Sequence, residues 1–414
     1  MSPPIAVDSP SPLEDYTDLV TSIKAANDAR PQGKYYAGFG TPPPNALKRY
    51  LAAGIDLTAG YPAYPDIPED VAAATAFENQ GREGSSYVDP AGRADKDKKA
   101  LFAAAKEVNN LTKHIGTEIV GLQLKDLTPT QRDELALLVA ERGVVFLRDQ
   151  DLSPQQQVEL GLHFGDGQIK TDSVLPHVPG FDRLGIIWDS ARPGQRSFRL
   201  PWPGIPAHGW HIDTAADPIT NGYTHLFQDT VPSDSGDTLW SSGYAAYDKL
   251  SPALRKFVDG LTGIYRSTVT FKNPDKPDGP PIPILERAPV VRTHPVTKWK
   301  TLFVTRQLVG LEGFDKKESD HLLKYLVDVV ENTVDIQVRW HWTNNASAIW
   351  DNRVVAHTVS RDFDGERHGT RVQSYSDRPF FDPESKSRGE ALGLPGWNVP
   401  AFDTEAHLRA GFQF

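Results

Sequence analysis

The chain of 414 residues contains no cysteine. This absence excludes disulfides, zinc-thiolate sites, iron–sulfur clusters and thiolate nucleophiles from the chemistry of the protein. A metal ion would therefore have to be held by histidine, aspartate or glutamate side chains, and the chain contains 12 histidines and 54 acidic residues.

Long apolar runs are absent as well. No run approaches the roughly 18 residues that a membrane-spanning helix requires. The first 16 residues are rich in proline, serine and aspartate and contain no apolar stretch of the kind found in secretory signals. We therefore expect a cytoplasmic protein.

The sequence also lacks clusters of positive charge. The formal net charge is −10 and no dense run of lysine and arginine occurs, so nucleic acid and anionic membranes are not expected partners. A local pair of arginines can still bind an anionic small molecule.

Proline (34 residues) and glycine (33 residues) are both frequent, which favours turns over long helices. Residues 1–100 are rich in Pro, Gly, Ala and charge, and we expect them to form an N-terminal extension, an extended and partly ordered arm. The catalytic domain is expected at 101–385, followed by a C-terminal tail at 386–414.

Three segments carry the signature of a helix start, a capping residue with glutamine or glutamate three positions later. They begin at Thr128, Ser153 and Asp315. Residues 144–147 (Val-Val-Phe-Leu) are typical of a buried strand. Further short β-like runs are predicted at 221–228, 238–242, 262–271, 300–305, 336–340, 346–350, 354–357 and 370–375. Short strands with frequent turns and a few flanking helices indicate a mainly β fold with a jelly-roll barrel.

Residues 210–213 (Trp-His-Ile-Asp) contain the only His-x-Asp of the chain. In a strand, His211 and Asp213 point to the same face and can offer a nitrogen and an oxygen to one ion. A second histidine from a distant strand would complete two histidines and one carboxylate, the set that Fe(II) oxygenases use because it leaves coordination positions open. By itself the tetrapeptide is equally compatible with an ordinary pair of strand residues.

Residues 346–375 contain the candidate second histidine, His357, in a strand-like run. A further strand carries Arg367 and Arg371, which lie four apart and hence on one face. If the two strands pair, His357 and Arg367 would lie close together. Inward-pointing arginines are costly unless they meet anions; the alternative is two surface arginines paired with neighbouring acidic residues. Thr238 can donate to a carboxylate oxygen, or it is simply a strand threonine.

Together these segments resemble the TauD/TfdA (taurine dioxygenase) family of Fe(II)/2-oxoglutarate-dependent dioxygenases, and are most similar to its fungal sulfonate-dioxygenase branch. The matching segments are residues 210–213, 236–240, 291–296 and 348–357, with Arg367 and Arg371 at close to the family's spacing. The likeness extends over roughly residues 100–380.

The resemblance implies a double-stranded β-helix, a cupin-like jelly roll. It implies that His211, Asp213 and His357 bind Fe(II) and are the catalytic residues. It also implies that Thr238 and Arg367 hold the distal carboxylate of the cosubstrate 2-oxoglutarate. Arg371 would hold either the cosubstrate or an anionic group of the substrate.

The substrate side departs from the family pattern. Lys170 stands where taurine-oxidising members have a sulfonate-contacting histidine, and Ala207 stands where they have an asparagine. Leu308 or a neighbour replaces a phenylalanine. With Arg371 and Thr214, these residues are the candidates for substrate binding.

The expected reaction is oxidation of an unactivated C–H bond of a small anionic substrate, with 2-oxoglutarate and O₂ converted to succinate and CO₂. Alternatives are the same chemistry on an amino acid or small carboxylate, giving hydroxylation, desaturation or cyclisation, or on a larger aromatic compound. Trp202, Trp210 and Trp240 hint at the last, although core packing is the favoured explanation of these residues. A non-catalytic jelly-roll binding module, a metal-dependent hydrolase and homo-oligomerisation also stay open.

Overall fold

The computed structural model describes residues 16–29, 40–63, 87–170, 176–190, 209–271, 282–360, 362–363 and 365–394. The helices are α1 (Thr17–Asp28), α2 (Pro44–Ala52), α3 (Lys99–Ala104), α4 (Pro129–Arg142), α5 (Pro154–Phe164), α6 (Gly243–Lys249), α7 (Pro252–Val258), α8 (Lys316–Asn332) and α9 (Arg388–Ala391). Within the described ranges, no helix is long and apolar enough to cross a membrane.

The strands are short and fall into four sheets. They are β1 (Glu107–Asn110), β2 (Thr117–Val120), β3 (Val144–Leu147), β4 (His177–Val178), β5 (Phe181–Ser190), β6 (Tyr223–Thr230), β7 (Thr238–Ser242), β8 (Thr262–Phe271), β9 (Ile282–Pro289), β10 (Val291–Thr293), β11 (Trp299–Leu302), β12 (Leu308–Leu311), β13 (Gln337–Trp340), β14 (Ala346–Asp351), β15 (Val355–Val359), β16 (Glu366–Gln373) and β17 (Lys386–Ser387).

The largest sheet has eight strands in the order β1-β2-β3-β14-β6-β16-β5-β4, and a smaller sheet has the order β13-β7-β15. Side chains of both sheets form one buried cluster, in which Phe146 of β3 stacks on Trp340 of β13 with ring centroids 4.2 Å apart. Burial of these large aromatic surfaces holds the two sheets against each other. Mixed sheets with flanking helices agree with the predicted fold class at this coarser level.

The three predicted helix starts are confirmed. Thr128, Ser153 and Asp315 each cap a helix, and in each case the capping side chain and the residue three positions later satisfy each other's backbone N–H groups. The buried strand predicted at 144–147 is also confirmed. Local capping chemistry therefore determines where α4, α5 and α8 begin.

The strand of His357 and the strand of Arg367, whose pairing the sequence left open, do not pair. β15 pairs with β7, whereas β16 lies between β5 and β6 in the large sheet. The strand predicted at 370–375 begins earlier, at Glu366, because residues from Glu366 onwards already pair with β5. His357 and Arg367 thus belong to different sheets, although they are close in sequence.

The described part of the predicted extended arm includes the helices α1 and α2. α2 begins with Pro44 at its first position, where the missing N–H costs nothing. It buries Tyr50 together with Tyr61 in a cluster with Trp188 and Val372 of the large sheet. Part of the N-terminal segment therefore packs on the body, while the domain limits at residues 100 and 385 stay predictions.

A buried ionic network joins the N-terminal segment to the turn after β14. Arg353, 5% exposed, donates from Nη1 to Asp89 at 2.6 Å and from Nε and Nη2 to Asp351 at 2.8 and 2.7 Å. Burial opposes ionisation of Asp351, but the charges of Arg353 and His294 hold the pKa of this carboxyl below its ordinary value.

We predict that Arg353→Met lowers the free energy of unfolding by roughly 3–5 kcal/mol, because two buried carboxylates would lose their countercharge. Arg93→Met is the matched control, since Arg93 pairs with Asp133 from a side chain that is 43% exposed; its loss should cost less than about 1 kcal/mol. Denaturant unfolding followed by tryptophan fluorescence measures both. Equal losses in the two variants would contradict a structural role for the network.

Candidate metal and cosubstrate site

Backbone pairing brings His211 and His357 side by side. The N–H of His211 donates to the carbonyl of His357 at 3.0 Å, and the N–H of His357 donates to the carbonyl of His211 at 2.9 Å. This isolated bridge places the two imidazole rings with centroids 4.2 Å apart. The two histidines, which come from separate segments of the chain, are therefore held next to each other by backbone hydrogen bonds.

Asp213 completes the cluster. Its Oδ1 lies 3.7 Å from Nε2 of His211 and 3.9 Å from Nε2 of His357, and one ligand atom from each residue lies within 4.8 Å of the others. These distances are too long for hydrogen bonds. The three groups converge without satisfying one another, as ligands of a common ion do.

The protonation states of the three residues suit a divalent metal. Nδ1 of His211 donates to the carbonyl of Gly209 at 2.7 Å, which leaves the lone pair on Nε2, the atom that faces Asp213. Burial, reinforced by the neighbouring His211, lowers the pKa of His357 to about 3. Although burial opposes ionisation of Asp213, the charge of Arg371 and the hydrogen bond from Gln373 help to lower its pKa to about 2. Two neutral imidazoles and one carboxylate are the donor set of Fe(II) oxygenases.

Neighbouring strands orient the Asp213 carboxylate. Its Oδ2 accepts from Nε2 of Gln373 at 3.0 Å and from the hydroxyl of Thr224 at 3.4 Å, and its Oδ1 accepts from Nη1 of Arg371 at 3.3 Å. Asn352 donates in turn to Thr224 Oγ1 at 2.7 Å. Sequence reasoning missed three of these residues. Gln373 could have been found, because it shares a strand face with Arg371, whereas Thr224 and Asn352 depend on the register of β6 with β14.

Thr238 and Arg367 also come together, as predicted. Arg367 is 1% exposed, and its Nη2 donates to Thr238 Oγ1 at 3.3 Å while its Nε donates to the carbonyl of Gly236 at 3.3 Å. Gln228, with its amide oriented to satisfy its hydrogen bonds, accepts from Nη2 and Nη1 at 3.0 and 3.2 Å. Arg367 is therefore held in one position by neutral acceptors.

The hydroxyl of Thr238 remains able to donate. Its oxygen accepts from Arg367 and from Nε1 of Trp342, the latter at 2.9 Å. Among the residues that the structure describes, no acceptor takes its proton. A carboxylate oxygen placed between the guanidinium of Arg367 and this hydroxyl would satisfy both groups.

Gly369 lies between Arg367 and Arg371 on the same face of β16. A Cβ at this position would lie 2.2 Å from the carbonyl oxygen of Phe227 and 2.8 Å from the side-chain amide of Gln228. Such contacts do not occur between real atoms, so any side chain here would force β6 and β16 apart. The missing side chain makes room for Gln228 to reach Arg367.

The predicted substrate-binding residues other than Arg371 lie in different surroundings. Lys170 is buried and its ammonium pairs with Asp217, while its backbone N–H donates to the carbonyl of Gln373 at 2.7 Å. Thr214 accepts from the N–H of Asn221 at 2.9 Å. Leu308 lies in a buried apolar cluster. Ala207 lies outside the described residues, so the substrate-binding roles of all four stay predictions.

The tryptophans that hinted at an aromatic substrate are explained by packing where the structure describes them. Trp210 is 5% exposed and Trp240 fully buried, each within a core cluster. Trp202 lies outside the described residues. The indole rings therefore give no support to an aromatic substrate.

The sequence and the fold of the chain are similar to those of known proteins. Residues 107–373 match the family described as taurine catabolism dioxygenase TauD, TfdA family. An alpha-ketoglutarate-dependent sulfonate dioxygenase of Saccharomyces cerevisiae is 35% identical over 72% of this chain and 75% of its own. An alpha-ketoglutarate-dependent dioxygenase of Penicillium expansum is 34% identical over 81% of this chain and 94% of its own.

A solved structure of a taurine dioxygenase from Burkholderia xenovorans is 29% identical, with a TM-score of 0.57, and the match covers 68% of this chain and 94% of that one. The predicted enzyme class, a dioxygenase dependent on 2-oxoglutarate, is confirmed by these relatives. Since the family match covers more than half of the sequence, the chain belongs to the taurine catabolism dioxygenase TauD, TfdA family.

Proposed function

We propose that the protein holds Fe(II) through His211, Asp213 and His357 and oxidises an unactivated C–H bond of a small anionic substrate. 2-Oxoglutarate and O₂ would be converted to succinate and CO₂. The observation that carries the proposal is the convergence of two units: a cluster with the donor set of an iron oxygenase, and the Thr238–Arg367 pair, which is equipped to bind a carboxylate.

The arrangement of the sheets supports a more specific proposal about the fold. The eight-stranded and three-stranded sheets share one buried cluster, and the metal cluster spans β15 and the bridge segment paired with it. We therefore propose that the core is a double-stranded β-helix, with the site built on its inner strands.

Fe(II) bound here would bring the keto acid and O₂ together and activate O₂, which is the oxidant of the reaction. The chain supplies orientation. Gln373 and Thr224 tie one oxygen of Asp213, so that the other faces the two imidazoles. Gly209 fixes the ring of His211 through Nδ1. Such outer hydrogen bonds hold the ligands in the geometry that the metal requires.

The cosubstrate would be anchored at its far end by Arg367. The hydrogen bonds from Arg367 to Thr238, Gln228 and the carbonyl of Gly236 orient its buried guanidinium, and a buried guanidinium attracts a carboxylate strongly. Thr238 adds the hydrogen bond of its hydroxyl. The near end of the keto acid would then reach the metal.

The substrate would be anchored by Arg371, whose guanidinium lies beside Asp213. Lys170 is the weaker candidate, because its charge is matched by Asp217 alone, whereas Asp213, the partner of Arg371, would share its charge with the metal ion. The names of two relatives, the sulfonate dioxygenase of S. cerevisiae and a sulfate ester dioxygenase of Pseudomonas putida that is 29% identical, favour an organosulfonate or sulfate ester. A small carboxylate or amino acid would use the same anchor.

We predict that His211→Ala and Asp213→Ala abolish turnover that depends on Fe(II) and 2-oxoglutarate, because each removes a metal ligand. His321→Ala, at an exposed position of α8, is the matched control and should retain activity. Succinate release under air measures turnover. Anaerobic addition of Fe(II) and 2-oxoglutarate to the unaltered protein should give a weak visible charge-transfer band, and its absence would count against iron chelation. Activity without O₂ and 2-oxoglutarate would instead indicate a hydrolase.

Arg367→Ala should weaken 2-oxoglutarate binding by roughly 2–5 kcal/mol, because a buried carboxylate would lose its charged partner. Arg287→Ala is the control, since this arginine is 63% exposed on β9. Anaerobic calorimetry with 2-oxoglutarate gives both affinities. Unchanged affinity in Arg367→Ala would remove this residue from the cosubstrate site.

Arg371→Ala should raise the KM for the anionic substrate more than it raises the Kd for 2-oxoglutarate. A screen of sulfonates, sulfate esters, amino acids and small carboxylates for succinate release identifies the substrate for this measurement. Because Arg371 also contacts Asp213, the Fe(II) affinity of the variant must be measured in parallel. If substrate affinity is unchanged, Arg371 is not the anchor.

A further inference from the structure

Asp189 adds a negative charge to the surroundings of Arg367. It lies on β5 directly opposite Arg367 in the pairing with β16, and its Oδ2 is 3.7 Å from Nη1 of the arginine. The Arg367 side chain is 1% exposed and that of Asp189 is 13% exposed. At this depth the attraction between the two charges is only partly screened by solvent.

The distance between Asp189 and Arg367 exceeds that of a hydrogen bond. The position of the guanidinium is set instead by Thr238, Gln228 and the carbonyl of Gly236, all at 3.0 to 3.3 Å. Asp189 therefore adds its charge without adding a hydrogen bond to Arg367.

We propose that Asp189 lowers the affinity of the Arg367 site for dicarboxylates. This inference rests on the proposed function, in which Arg367 binds the distal carboxylate of 2-oxoglutarate. An incoming carboxylate must share the guanidinium with Asp189, and the two negative charges repel each other across it. Part of the attraction of Arg367 for its ligand is thereby cancelled before the ligand arrives.

Asp189 lowers the affinity of the site for the product succinate as well as for the cosubstrate. Succinate retains the distal carboxylate of 2-oxoglutarate and has lost the keto group. Arg367 is therefore the main remaining anchor of the product, and Asp189 promotes its departure. Release of product limits turnover in many enzymes, so a carboxylate that weakens this anchor serves turnover at the expense of affinity.

A purely structural role for Asp189 predicts the opposite behaviour. If its carboxylate were needed to hold Arg367, its neutralisation would loosen the guanidinium and weaken ligand binding. Asp189→Asn preserves the size of the side chain and removes only the charge. The direction of the change in affinity therefore distinguishes the two roles.

The test compares Asp189→Asn with Asp182→Asn, an exposed aspartate on the same strand, and with Arg367→Ala. The Kd for 2-oxoglutarate is measured anaerobically on the Fe(II)-loaded protein by calorimetry at low ionic strength, and succinate is titrated in the same way. We expect Asp189→Asn to bind both dicarboxylates about threefold to tenfold more tightly, with the gain shrinking as salt is added. Asp182→Asn should change neither Kd beyond error.

Asp189→Ser provides a second neutral replacement if the asparagine variant folds poorly. Unchanged or weaker binding in a folded neutral variant overturns the inference. If Arg367→Ala weakens binding while neutral variants at Asp189 do not strengthen it, the proposed cosubstrate site stands and only the role of Asp189 fails. If Arg367→Ala leaves the Kd unchanged, the proposed function fails at this site.

Discussion

The site depends on two reciprocal backbone hydrogen bonds, those between His211 and His357. They join a segment that lies outside the main sheets to β15, and β15 is held in turn by β7. Because a bridge of this kind fixes two residues face to face, the imidazoles need no hydrogen bond between their rings to stay together. Asp213 follows two residues after His211, in the turn that comes directly after the bridge, and its carboxylate faces both imidazoles. The metal cluster is thus specified by backbone geometry, and the surrounding side chains only refine it.

Strands of two different sheets supply the other side chains of the site. β7 and β15 supply Thr238 and His357, whereas β5, β6 and β16 supply the arginines and their acceptors. The apolar cluster between the sheets, with Trp240, Trp340 and Phe146, sets their separation. The distance between the metal cluster and Arg367 is consequently a property of core packing. Any change in the core that moves one sheet relative to the other would also change the length of ligand that the site accepts.

Local signals in the sequence were sufficient for the helix starts at Thr128, Ser153 and Asp315, because capping chemistry involves residues three apart. The same holds for the His211–Asp213 pair. Contacts that depend on register were not accessible: Asn352 reaches Thr224 only because β14 lies beside β6, and Asp189 reaches Arg367 only because β5 lies beside β16. Whether β15 and β16 pair could not be decided from the sequence for the same reason, since proximity in sequence does not reveal that a chain crosses from one sheet to another.

Gly369 limits how the amino-acid sequence of β16 can vary. The amide of Gln228 occupies the space that a side chain at position 369 would need, so the two positions form one unit although they lie on different strands. The nearer obstacle is the carbonyl oxygen of Phe227, 2.2 Å from such a Cβ, which no substitution at position 228 removes. Glycine is therefore required at 369 as long as β6 and β16 stay paired, and variation in the molecules accepted should be concentrated in loops around the site.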